Sequence, residues 1–200
     1  MKRRTASTIA ISMLVPAGLA AAGPAMVIED FEGFDTSADL NASITNATPN
    51  ATVALNPVAG VAGTAALVFT GENGSDPFFS QITLDTTDVS LNAIPAVEVS
   101  AQFLGGSNET LQVELLDEFG GTIADASFGG TQSLPTDTFA TTAIDTSFTA
   151  QTVFSVRFTY DAVDFGTTSV AIDNIIAVPA PSGAAVIAGG LAAGCARRRR

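Results

Sequence analysis

Carboxylates are almost the only side chains in this chain that could do chemistry. Across 200 residues there is no histidine, one lysine (Lys2) and one cysteine (Cys195), against 20 Asp and Glu. This removes the imidazole base and ligand, the Schiff-base amine, the Ser-Lys dyad, a tetrahedral zinc site and any intramolecular disulfide. Two carboxylate chemistries remain. Glycoside hydrolysis needs a pair of carboxylates on one face, about 5–10 Å apart. The stretch Glu114-Leu115-Leu116-Asp117-Glu118 does not supply one: on an extended strand Asp117 turns away from Glu114 and Glu118, and Leu116 takes the middle place. No catalytic residue is assigned and no enzyme is expected. Calcium asks for six to eight oxygens and no histidine. Glu29, Asp30, Glu32 and Asp35 cluster near the start of the chain, and Asp173 joins them if the first and last strands pair. The plainer reading of these residues is solvated charge that protects a sheet edge. Asp85, Asp88, Asp161 and Asp164 read as turn-formers.

Sugar recognition usually rests on flat aromatic platforms. The chain has no Trp and one Tyr, Tyr160, which falls on the apolar face of its segment. Most of the 13 Phe sit at inward positions; of the adjacent Phe78 and Phe79, one must point outward.

The positions of these groups are set by short extended segments. Val97, Val99, Ala101 and Phe103 alternate with Glu98, Ser100 and Gln102, the period of a half-buried strand. Leu111, Val113 and Leu115 repeat it, closed by the turn Phe119-Gly120-Gly121. Phe154, Val156, Phe158 and Tyr160 alternate with Ser155, Arg157 and Thr159. Further strands are expected at Met26–Phe31, Ala51–Leu55, Ala65–Thr70, Phe78–Leu84, Phe139–Ile144 and Ser169–Val178, with a polar loop over Asp35–Asn50. No sustained helical period occurs between residues 26 and 178. The expected fold is all-β: an antiparallel β-sandwich or jelly roll over residues 26–178.

Charge divides the chain in three. Lys2, Arg3 and Arg4 open it, Arg197, Arg198, Arg199 and Arg200 close it, and Arg157 alone lies between them among all the acidic residues. So acidic a body repels nucleic acid and anionic membranes. Residues 1–22 read as a secretory signal peptide: basic residues, an apolar helix over about Ile9–Leu19, then Ala20-Ala21-Ala22 for signal peptidase. Residues 179–200 read as a tail. Pro179 and Pro181 end the last strand, and the apolar run Ala184–Ala196 forms a short helix of about 20 Å against a hydrocarbon core of about 30 Å. Four arginines resist crossing, so membrane contact is transient.

Val178-Pro179-Ala180-Pro181, the short apolar helix and Arg197–Arg200 resemble the PEP-CTERM sorting signal, in the variant with Ala180 where the commoner form has Glu. The resemblance implies export, recognition and cleavage by an exosortase, and delivery to the cell envelope, outer surface or extracellular matrix. Inside the domain, the opening Asp30-Phe31-Glu32-Gly33-Phe34-Asp35, the stretch Leu111–Asp117 with its Gly-Gly turn, and the closing Val170-Ala171-Ile172-Asp173-Asn174-Ile175 resemble jelly-roll carbohydrate-binding modules of the galactose-binding-like superfamily. This resemblance implies first and last strands lying close together, with a structural calcium between them. Asp30, Glu32, Asp35 and Asp173 would be its ligands; no other cofactor is expected. The functional expectation is a secreted, non-catalytic structural or adhesive protein of the envelope or matrix. The alternatives are a carbohydrate-binding module for envelope or environmental polysaccharide and, less favoured, a glycoside hydrolase.

Overall fold

The computed structural model describes residues 25–73, 79–162 and 166–179, so the signal segment 1–22, the tail beyond Pro179, Phe78 and Asp164 lie outside the described residues. In chain order the elements are β1 (Met26–Glu29), α1 (Ser37–Ala42), β2 (Ile44–Ala47), β3 (Ala51–Asn56), β4 (Ala66–Asn73), β5 (Phe79–Ser90), β6 (Ala96–Gly106), β7 (Glu109–Leu116), β8 (Thr122–Gly130), β9 (Ala140–Asp145), β10 (Thr152–Ala162) and β11 (Gly166–Val178). They form two antiparallel sheets. One runs β3-β4-β11-β6-β9, with β1 also paired to β11; the other runs β2-β5-β10-β7-β8. The jelly-roll expectation is met.

Alternation builds the core as expected. Val97, Val99, Leu67, Phe69, Val170 and Ile172 of the first sheet meet Ile82, Leu84, Leu111, Val113, Leu115, Val156 and Phe158 of the second, all without exposed surface. Burying each such side chain stabilises the fold by about 1.5–3 kcal/mol before chain entropy is subtracted. Tyr160 is also fully buried. Its ring stacks on Phe69 of the opposite sheet, centroids 4.2 Å apart and planes 9° from parallel, and its hydroxyl donates to the Phe69 carbonyl at 2.8 Å. Gly71 makes room for this stack, since a Cβ there would lie 2.6 Å from the Tyr160 ring.

The loop expected over Asp35–Asn50 instead carries α1 and β2. Thr36 and Asp39 form a reciprocal capping box, each side chain accepting from the other's backbone N–H, and Leu40 is buried. A second unexpected strand is β8. Asp85 and Asp88 lie within β5 and Asp161 within β10, so these three are strand residues and not turn-formers. The reason is that β5 runs six residues past its expected end at Leu84, to Ser90, and β10 runs past Tyr160 to Ala162.

The first and last strands pair, Met26 opposite Ala177 and Glu29 opposite Ile175. The last strand stops at Val178, just before Pro179, whose ring removes the N–H the ladder would use. No helix among the described residues is long and apolar enough to cross a membrane.

Candidate polysaccharide-binding groove

The second sheet turns a polar face away from the core. Across β5, β10, β7 and β8, neighbouring residues form rows: Thr83, Arg157, Glu114 and Asp125 in one, Gln81, Thr159, Gln112 and Ser127 in the next. At one end this face hollows into an open groove of about 520 Å³. Thr45, Thr83 and Ser155 line it with hydroxyls, Asp85, Asp88, Asp117 and Glu118 with carboxylates, Phe154 with an aromatic ring and Arg157 with a guanidinium. A smaller hollow of about 290 Å³ shares Asp117, Glu118 and Phe154 and adds Phe119, Gln151 and Thr152. The larger volume lies within the range of ordinary ligand sites.

Arg157 is held firmly. Its Nε donates to Glu114 Oε2 at 2.6 Å and its Nη2 to Glu114 Oε1 at 2.7 Å, while Thr122 Oγ1 donates to Glu114 Oε1 at 2.9 Å. The hydrogen bonds from Arg157 hold the Glu114 carboxyl below its ordinary range, outweighing the opposite pull of burial; the same pairing raises Arg157. Glu114 is therefore kept ionised, the wrong state for a general acid.

Asp117 lies just past the end of β7, where strand alternation no longer applies. Its Oδ1 accepts from the backbone N–H groups of Phe119 at 2.9 Å and Gly121 at 2.8 Å, which fixes the β7–β8 turn. Gly120 takes φ +76° there, a left-handed conformation that suits glycine. Phe119 stands on this turn 88% exposed.

Phe154 departs from expectation. The register of β10 against β5 shifts between Val153 and Ser155; Val153 takes the core position and Phe154 lines the groove instead. Aromatic exposure is also greater than the alternation suggests. Phe79, Phe119 and Phe148 are exposed, and only Phe31, Phe69 and Phe158 of the described phenylalanines are fully buried. Of the pair Phe78 and Phe79, the second points outward, at 38% exposure.

The proposed calcium ligands lie apart from the groove, around the β1–β11 pairing. Asp173 has no exposed surface. Its carboxylate accepts from Val61 N at 2.8 Å, Thr64 Oγ1 at 3.0 Å and Asn174 N at 2.7 Å. Glu32 accepts from the Ala65 N–H, Asp30 from Glu32 N at 3.2 Å, and Glu29 from Phe31 N at 2.8 Å. Gly60 is required beside Asp173, because a Cβ would fall 2.6 Å from Asp173 Oδ2. Burial raises both Glu29 and Asp173, and the charge of Asp30 raises each further. Asp35 is exposed and makes none of these contacts. Asp173 and Glu32 thus bond to the 60–65 loop, the charge of Asp30 reaches Asp173, and Asp35 is left out. Among the described residues no group of three or more His, Cys, Asp or Glu side chains is arranged to hold a metal ion. The donors have the right chemistry for calcium, but the protein's own N–H and O–H groups engage them.

These features define a class: an antiparallel jelly-roll sandwich with one hollowed polar sheet face. No family model matches the chain, and no curated protein matches it in sequence. Solved structures do share the fold. The family 11 carbohydrate-binding module from Clostridium thermocellum, in complex with a β-1,3-1,4-mixed-linked tetrasaccharide, superposes with a TM-score of 0.54 at 14% identity, covering 80% of this chain and 98% of that one. An exo-β-agarase gives 0.56 at 10% identity and an arabinose-bound α-L-arabinofuranosidase 0.54 at 15%. This chain spans only 25% and 27% of those two enzymes, so its likeness is to a part of each.

Proposed function

We propose that this protein is an exported, non-catalytic polysaccharide-binding module, with the groove on the outer face of the second sheet as its site. The observation that carries the reading is the groove of about 520 Å³, in which hydroxyls, carboxylates and a clamped guanidinium stand beside the ring of Phe154. Sugars offer many hydroxyls and weakly apolar ring faces, and fixed polar groups next to an aromatic wall match both. A fold shared over nearly the whole of a carbohydrate-binding module supports this reading ahead of a purely structural one. An adhesive role then follows from binding, with the protein linking its own surface to a glycan.

Non-catalysis is supported by Glu114, ionised in its pair with Arg157, and by Asp117, which holds its turn. The basic-apolar start and the Val178–Pro181 motif with Arg197–Arg200 support export through signal peptidase and sorting by an exosortase to the envelope or matrix. Replacing Arg197–Arg200 with serine should leave the protein missorted in fractionated cells.

The experiment that tests the site is calorimetric titration of the full chain with soluble polysaccharides, paired with product analysis of the same mixtures. Saturable binding without new reducing ends supports the proposal. Turnover that disappears in Glu114→Gln would replace it with the hydrolase reading. A structural calcium at Asp30, Glu32 and Asp173 is a separate proposal, supported by the buried Asp173 carboxylate, which the charge of Asp30 repels.

A further inference from the structure

Within the groove proposed above as a polysaccharide site, the distribution of charge points to the chemical class of the sugar. We infer that the hollow between Phe119 and Phe154 receives a protonated amine, so that the ligand is an amino-sugar polymer. The inference rests on the groove being the glycan site. It begins with Arg157, the only cation between Arg4 and Arg197. Glu114 holds this guanidinium through two short hydrogen bonds, which leaves the pair neutral as a whole. The remaining ionisable groups of the groove are all acidic: Asp85, Asp88, Asp117 and Glu118. A uronate or sulfated chain would meet four negative charges and no unpaired positive one.

Rejection of anions alone would leave neutral and cationic sugars equally welcome. The aromatic residues decide between them. In the smaller hollow, Phe119 and Phe154 adjoin Asp117 and Glu118. An aromatic face carries negative electrostatic potential, so rings and carboxylates together attract an ammonium group; a neutral hydroxyl can donate to the carboxylates but carries no net charge for the ring faces to attract. Asp117 Oδ1 is engaged by the turn, but Oδ2 makes no hydrogen bond among the described residues, and Glu118 is exposed with none. Both can turn oxygen toward an incoming amine without giving up a structural contact.

The test is calorimetric titration of the full chain with three soluble probes: a glucosamine oligomer, the same oligomer fully N-acetylated, and an oligogalacturonate. The glucosamine oligomer is expected to bind about tenfold tighter than its N-acetylated counterpart at low ionic strength, with the ratio shrinking toward one near 1 M salt. The oligogalacturonate is expected not to bind. Glu118→Gln, which removes one exposed charge from the hollow, should reduce the ratio severalfold. Equal affinity for the first two probes, or any binding of the third, overturns the amine assignment and leaves the groove as a glycan site. Failure of all three probes, together with failure of the wider polysaccharide panel, would remove the site itself.

Discussion

Arg157 and Glu114 face each other across β10 and β7 in a two-pronged contact, 2.6 Å from Nε to Oε2 and 2.7 Å from Nη2 to Oε1. The pair sits at the centre of the polar face, with 25% and 13% of its side-chain surface exposed, so solvent screens it only in part. Arg157→Ala strips Glu114 of its main partners and should cost about 1–3 kcal/mol in urea unfolding. Arg157→Lys keeps the charge but loses the fork, and should fall between the alanine variant and the parent. Both should weaken glycan binding, because the groove loses its fixed donor.

Substitutions at Phe119 and Phe154 would separate the proposed glycan binding from stability. Phe119 is 88% exposed, so Phe119→Ala should leave the melting temperature unchanged while reducing glycan affinity by about 0.5–1.5 kcal/mol. Phe154→Ala removes a half-buried ring and should lower both. Affinity that is indifferent to both substitutions would place the ligand elsewhere.

Tyr160→Phe tests the bridge between the sheets. The ring stack on Phe69 survives, but the Phe69 carbonyl loses its donor inside the core. The expected cost is about 1–3 kcal/mol, measured by chemical denaturation. A cost near zero would mean that another donor satisfies that carbonyl.

Stability should depend on pH in two opposing ways. Burial raises Glu29 and Asp173 above their ordinary values of 4.5 and 3.8, so the folded protein holds their protons more tightly than the unfolded chain. Stability therefore rises as pH falls from neutral through the folded values of these two groups, and is lost again as pH climbs back. Glu114 acts oppositely. Its contribution is complete above 4.5 and is lost as pH falls through its depressed folded value. Melting curves should peak on the acid side of neutrality, and Asp173→Ala should flatten the neutral limb of that peak.

The calcium proposal is tested at the same end of the sandwich. An ion at Asp30, Glu32 and Asp173 would offset the charge repulsion there. Calcium a hundredfold above its dissociation constant should then add about 2.7 kcal/mol, or roughly 5–10 °C in melting temperature. A chelator should reverse the gain and Asp173→Ala should abolish it. A melting temperature indifferent to calcium and chelator would leave Glu32 and Asp173 as hydrogen-bond clamps on the 60–65 loop.

How much of this was legible in the sequence depended on how regular each element is. The core faces of β6, β7 and β10 could be read directly, because Val97–Ala101, Leu111–Leu115 and Val156–Tyr160 alternate apolar with polar residues without interruption. β8 was hidden because a register shift against β7 buries Ile123 and Ala124 in succession. α1 was hidden because its six residues are too few to show a period, although Thr36 and Asp39 stand at capping-box spacing. The groove was the least legible part. Its wall depends on the displacement of Phe154 at a register shift and on Asp85 and Asp88 lying in a strand longer than its apolar residues suggested. Neither leaves a periodic trace. The approach of Asp30 to Asp173 needed the pairing of β1 with β11, which alternation within single strands cannot establish.

The place of β11 has a mechanical meaning. Its last residue, Val178, is laddered to Ala96, and the strand is flanked by β6 on one side and by β4 and β1 on the other. A pull applied beyond Val178 would run along the strand axis and load hydrogen bonds on both flanks in parallel, so rupture would demand sliding the whole strand instead of peeling it rung by rung. Force entering at this end would be borne by two ladders at once.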